Sequence, residues 1–187
     1  MKFYTKLQDW LAGPFSQKMQ KFMQNPYMHA LQVCFTIILP MIMVGSLASL
    51  VNTFRNFAPW LPDLSLINSF SFGLISIFMA FLIPYTIMES KKLQKQKMIT
   101  GFASVSALIA LANPQYVDGN LVINSGYVGT GGMTVAMVMG LVIGWLFSAY
   151  FKHGLFKKDS SLPSVVVVWF ESILIIFVLI LVCIIIG

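Results

Sequence analysis

Few side chains in this sequence have the chemistry to hold, move or attack a ligand, and they are far apart. Cys34 and Cys183 are the two thiols, and His29 and His153 are the two imidazoles. None of the four has another Cys, His or carboxylate at ligand spacing, so no metal site is expected. Side-chain catalysis of group transfer needs a nucleophile beside a base or a pair of facing carboxylates, and neither pattern occurs. Gly129-Thr-Gly-Gly132 resembles a phosphate-cradling loop only in its glycines, because no Lys-Ser or Lys-Thr follows it. The expectation is therefore no catalytic residue, no metal and no cofactor. Glu171 stands apart as the one ionisable residue inside a long apolar run, Val165–Ile186. A carboxylate there is costly. It marks either a polar path or partner contact, or an interfacial site within reach of Lys157 or Lys158.

The elements that must carry these residues are set by hydropathy. Of 187 residues, 58% are hydrophobic and 10% charged, against roughly 25% charged in soluble domains. A soluble chain of this length buries only about 70% of its unfolded surface, too little to hide this much apolar area. The expected fold is an all-α polytopic membrane protein with about five transmembrane helices. The runs are Leu31–Val51, Phe70–Met88, Ile99–Ala112, Met133–Phe151 and Val165–Ile186. A span needs about 20 apolar residues. Ile99–Ala112 has 14, so a re-entrant segment is its alternative.

Charge decides in favour of a crossing. Lysines cluster before the first run (Lys2, Lys6, Lys18, Lys21), after the second (Lys91, Lys92, Lys95, Lys97) and after the fourth (Lys152, Lys157, Lys158). The other two connections hold only Arg55. This alternation requires Ile99–Ala112 to cross, and it places the N-terminus in the cytoplasm and the C-terminus outside. The net charge of +6 then faces an anionic inner leaflet rather than nucleic acid. Cys34 and Cys183 fall near opposite membrane faces, too far apart for a disulfide. His29 and His153 read as interfacial polar residues.

Residues 1–30 lack the apolar core and cleavage site of a signal peptide. Phe3, Leu7, Trp10 and Leu11 recur at helical spacing, as do Phe15, Met19, Phe22 and Met23 after Gly13-Pro14. The pattern predicts an amphipathic helix lying in the cytoplasmic interface, ended by Asn25-Pro26; a mobile basic tail is the alternative. Residues 31–187 form the five-helix domain. Within it, Pro40 and Pro84 should kink their helices. Gly132, Ala136, Gly140, Gly144 and Ser148 form a ridge of small residues four apart, a seam for close helix packing. Its partner is either another subunit, in a dimer, or the same chain. The third run, from Gly101 to Ala110, is also small-rich and reads as buried. Gln115-Tyr-Val and Leu121-Val-Ile around Asp118-Gly119-Asn120 predict a hairpin.

Several of these stretches together resemble a family. Lys2–Trp10, Ile38-Leu-Pro-Met-Ile-Met-Val-Gly-Ser46 with Leu50, Tyr127-Val-Gly-Thr-Gly-Gly-Met-Thr-Val-Ala136 with Gly140–Phe151, and Leu162-Pro-Ser-Val165 with Phe170 are similar to the sugar-channel subunit, enzyme IIC, of bacterial phosphotransferase systems. The nearest branch is lactose/cellobiose. The resemblance covers nearly the whole chain and implies the scaffold and dimerisation half of a ten-span protein. It places the sugar-binding residues in a second half, so none is assigned here. Glu171 departs from the family pattern, which has a small or apolar residue there. The resemblance implies a split or truncated enzyme IIC in a bacterial cell membrane, or a dimerising scaffold that regulates without transporting. Expected partners are the lipid bilayer, a second copy or a partner enzyme IIC chain, and soluble phosphotransferase subunits.

Overall fold

The computed structural model describes residue 13, residues 16–153 and residues 164–186. A short helix, α1 (Ser16–Met23), comes first, with Met19 and Phe22 about half exposed. Phe3, Leu7, Trp10, Leu11 and Phe15, the rest of the expected amphipathic stripe, fall outside the described residues. Asn25-Pro26 both ends α1 and starts α2 (Pro26–Phe54). The Asn25 side chain accepts a hydrogen bond from the Tyr27 N–H at 3.0 Å, and Pro26 sits in the first turn, where its missing N–H costs nothing. Helix α2 continues through Pro40 without interruption, and its 29 residues rise about 43 Å.

The second apolar run begins earlier than Phe70 and is not one helix. It comprises α3 (Ser65–Ser71), a 3-10 turn (Phe72–Leu74) and α4 (Ile75–Ser90). Ser71 and Gly73 are weak helix formers. Phe72 lies over Gly45 of α2, so closely that a Cβ on Gly45 would come within 2.6 Å of its ring. That close approach accompanies the local change of pitch.

Helix α5 (Lys97–Leu111) returns along α4. The Lys97 ammonium lies 4.8 Å from the Tyr85 ring centroid. One turn on, Phe102 meets Phe81 at 5.2 Å, and Ile109 reaches a cavity it shares with Ile77. The pairing is antiparallel over all of α5, about 22 Å. Gly101, Ala103, Ser104, Ala107 and Leu108 are buried, in keeping with the small-rich reading.

The expected hairpin follows. Strands β1 (Gln115–Val117) and β2 (Asn120–Val122) pair antiparallel, with Val117 opposite Asn120. Asp118 and Gly119 form the loop at φ +50° and +78°, the left-handed pair of a type I′ turn. A single-turn helix α6 (Ser125–Val128) and a 3-10 turn (Thr130–Gly132) lead into α7 (Met133–His153), and α8 (Ser164–Ile186) comes last.

Among the described residues, three stretches are long and apolar enough to cross a membrane: Pro26–Phe54, Ser65–Ser90 and Thr130–Lys152. Lys97–Leu111 and Trp169–Ile185 are shorter apolar helices. Helix α4 is the hub. Its Met79, Ala80, Ile83 and Ile87 are wholly buried among α2, α5 and α7. The periphery is apolar too: α2 exposes Ile37, Met43, Leu47 and Leu50, and α8 exposes Ile173, Phe177 and Val178. A soluble monomer rarely shows such continuous apolar faces, whereas lipid accepts them at no cost.

Candidate functional site

The small-residue ridge of α7 packs within this chain, against α4. A Cβ on Gly140 would lie 3.0 Å from Ile83 Cβ and 3.3 Å from Pro84 Cδ. One on Gly144 would meet Ile87 Cδ1 at 2.5 Å and Pro84 Cα at 3.3 Å. Ala136, four residues before Gly140, is fully buried. The neighbour is thus the second run, and Pro84, singled out as a kink, forms part of the surface the glycines meet. Gly132 is required for a different reason: a Cβ there would overlap the Tyr127 carbonyl, so the turn entering α7 admits no side chain. Ser76 at the start of α4 donates to the Gly129 carbonyl, tying that glycine-rich entry to the hub.

Ser148, last in the ridge, belongs to a polar clamp that sequence spacing did not reveal. The Lys91 ammonium donates to Ser148 Oγ at 2.7 Å and to Tyr27 Oη at 2.7 Å. It also lies 4.7 Å from the centroid of the Tyr27 ring, within cation–π range. Ser148 Oγ in turn donates to the Trp145 carbonyl at 2.8 Å. One cation therefore joins the start of α2, the end of α4 and the end of α7. Beside it His29 Nδ1 is 3.5 Å from Ser90 Oγ. Lys97 Nζ is 2.8 Å from Glu89 Oε1; the hydrogen bond to Glu89, then that to Tyr85, raises the lysine pKa. Four of the helix ends that the lysine count assigns to one face, the starts of α2 and α5 and the ends of α4 and α7, thus lie together.

The opposite end carries the sparse charges. Arg55 Nη1 and Asp63 Oδ2 are 2.9 Å apart, and Asp63 Oδ1 accepts from the Ser65 N–H at 2.9 Å. That backbone hydrogen bond, more than Arg55, holds the Asp63 pKa below its ordinary value. The Asn52 side chain accepts from the Leu64 N–H, fastening the start of α3 to the end of α2. A cavity of about 650 Å³ opens here between Asn68, Phe72, Ile109 and the Gly126–Gly131 backbone.

Glu171 is buried at 6% exposure, with Ser172 beside it equally covered. Its backbone carbonyl is 3.4 Å from the Tyr150 hydroxyl of α7. The expected reach of Lys157 or Lys158 falls outside the described residues. Cys34 and Cys183 are both free and buried, in two separate core clusters. Among the described residues no three of His, Cys, Asp and Glu gather at one point; the His153 side chain lies outside them. In comparisons with protein-family models, curated proteins and solved structures, nothing matches this chain.

Proposed function

We propose that this chain is a membrane subunit of a phosphoenolpyruvate-dependent sugar phosphotransferase system, the scaffold half of an enzyme IIC of the lactose/cellobiose type. In this reading it crosses a bacterial cell membrane five times, with the Lys91 end in the cytoplasm. Phosphoryl transfer to the sugar belongs to a soluble partner subunit at that end.

The observation that carries the scaffold role is how the bundle is filled. A sugar presents hydroxyls on every side, and a site for it needs several convergent polar groups. Among the described residues, the bundle is instead sealed by apolar and small side chains: Gly45 on α2 meets Phe72, while Gly101 on α5 and Gly140 and Gly144 on α7 meet α4. The cavity between α2, α4 and α5 is lined by Ile37, Ile38, Met41, Phe78, Phe81 and Phe102, a lining that offers a hydroxyl nothing. A bundle packed this way holds a transport unit in place and leaves the sugar path to a second unit. The motifs of the family resemblance support naming that unit.

Co-expression tests the proposal. With the C-terminal half of a lactose/cellobiose-type enzyme IIC and the soluble phosphotransferase subunits, this chain should restore uptake of radiolabelled cellobiose or a thiogalactoside in a strain lacking the permease. Neither half should do so alone. No uptake from the pair, with both halves present in the membrane, would contradict it. A second reading, a dimerising regulator that carries no sugar, draws on the wide apolar faces of α2 and α8, which suit lipid and a partner helix equally.

A further inference from the structure

We propose that the end of α7, with Lys91, forms a binding site for one anionic phospholipid, its phosphate held between Lys91 and Lys152. A cavity of about 550 Å³ opens at this point, lined by Tyr27, Lys91, Trp145, Ser148 and Lys152 among others. Lys91 Nζ has three N–H donors. Tyr27 and Ser148 take two of them, and the third remains for an acceptor. Its position is pre-set by those bonds and by the Tyr27 ring, so little side-chain freedom is lost on binding. The ion pairs among the described residues are Arg55–Asp63 and Lys97–Glu89. Among the described residues, the cavity that Lys91 and Lys152 share has no carboxylate in its lining. A phosphate supplies the missing charge through charge-assisted hydrogen bonds.

The surface leading away from the cavity identifies the source of that phosphate. Val138, Val142, Trp145, Ala149 and Lys152 succeed one another at spacings of four, three, four and three, a single face of α7. Val138, Val142 and Trp145 are each more than half exposed. The face therefore runs from aliphatic through indole to ammonium. A phospholipid has the same order from acyl chain through glycerol backbone to phosphate, and tryptophan prefers that middle depth. Basic pockets between helices on a cytoplasmic face are suited to anionic headgroups. A free anion would use the two lysines and leave the aliphatic part of the stripe without a role. This assignment rests on the Lys91 end meeting a membrane surface, not on the sugar-transport reading.

The test is a lipid titration of the purified full chain in detergent, read by native mass spectrometry with phosphatidylglycerol and phosphatidylcholine as probes. The first phosphatidylglycerol should bind in clear preference to phosphatidylcholine. Lys152→Gln and Lys91→Gln should each weaken that first step on the order of tenfold or more, the scale of a lost charged hydrogen bond. Lys92→Gln, exposed and outside the cavity lining, should change it little. Lys152 is also exposed, so Lys152→Gln leaves a clear reading even where Lys91→Gln weakens the clamp and the fold. Equal binding of the two lipids, or equal losses in Lys92→Gln and Lys152→Gln, would overturn the site. Displacement of phosphatidylglycerol by millimolar inorganic phosphate would overturn the lipid assignment.

Discussion

Replacing Gly140 by leucine should destabilise this protein without changing how many copies associate. The magnitude follows from what surrounds the glycine. A Cβ would stand 3.0 Å from Ile83 Cβ, 3.1 Å from Ile83 Cγ2 and 3.3 Å from Pro84 Cδ. Ile83 is fully buried, and its branched side chain has one strongly preferred helical rotamer. The Pro84 ring has no rotamer to escape into. An alanine asks both to shift by a few tenths of an ångström and regains up to about 1 kcal/mol of helix propensity, so Gly140→Ala should be nearly neutral. Leucine adds three more carbons with nowhere to go, at an overpacking cost of about 1–3 kcal/mol. Thermal unfolding in detergent can be followed with a thiol-reactive dye, because Cys34 and Cys183 are both free and buried and sit in different core clusters. The labelling midpoint should fall clearly for Gly140→Leu and little for Gly140→Ala, with the oligomeric mass from light scattering unchanged. An unchanged midpoint combined with loss of a dimer would show that the ridge faces another subunit, and the α4–α7 seam would be wrong.

Three further outcomes are expected. Asp63 should titrate below an ordinary aspartate: its stabilising contribution is full above the ordinary pKa and is lost as pH falls through the lowered one. In a carboxyl NMR titration, Ser65→Pro, which deletes the donating N–H at a position where helices accept proline, should raise the Asp63 pKa more than Arg55→Gln does; the reverse order would assign the shift to Arg55. Gly119→Ala forces a Cβ into the left-handed region at φ +78°, a cost of about 1–2 kcal/mol, so β1 and β2 should exchange their amide hydrogens faster while the helices do not; unchanged protection would refute the type I′ turn. The purified chain alone in nanodiscs should show no saturable binding of cellobiose or lactose, and saturable binding would refute the scaffold role.

What the sequence made legible was local. Asn25-Pro26 carries its own cap and its own first-turn residue, and Asp118-Gly119 supplies the two left-handed positions that a two-residue hairpin loop demands. Both therefore appear where neighbouring residues alone place them. Hydropathy located the apolar runs for the same reason. The 3-10 turn at Phe72–Leu74 was not visible, because its setting includes Gly45 of another helix. The ridge of α7 announced a close neighbour without saying which: a four-residue period describes one surface, and only the fold showed that Ile83, Pro84 and Ile87 complete it. The Lys91 clamp lay beyond reach altogether. Tyr27, Lys91 and Ser148 are separated by 64 and 57 positions, and each has an ordinary local explanation as an interfacial tyrosine, an orientation lysine and a ridge serine.

The proposed topology, five crossings with the Lys91 end in the cytoplasm, underlies the scaffold reading and brings the Lys91 end to the membrane surface that the lipid site needs. It is tested most directly by single cysteines at Lys95 and at Asn120 in a background with Cys34 and Cys183 replaced. An impermeant maleimide added to intact cells should label position 120, in the exposed hairpin, and should reach position 95 only after the membrane is permeabilised. Labelling of position 95 in intact cells, or protection of position 120, would contradict the account.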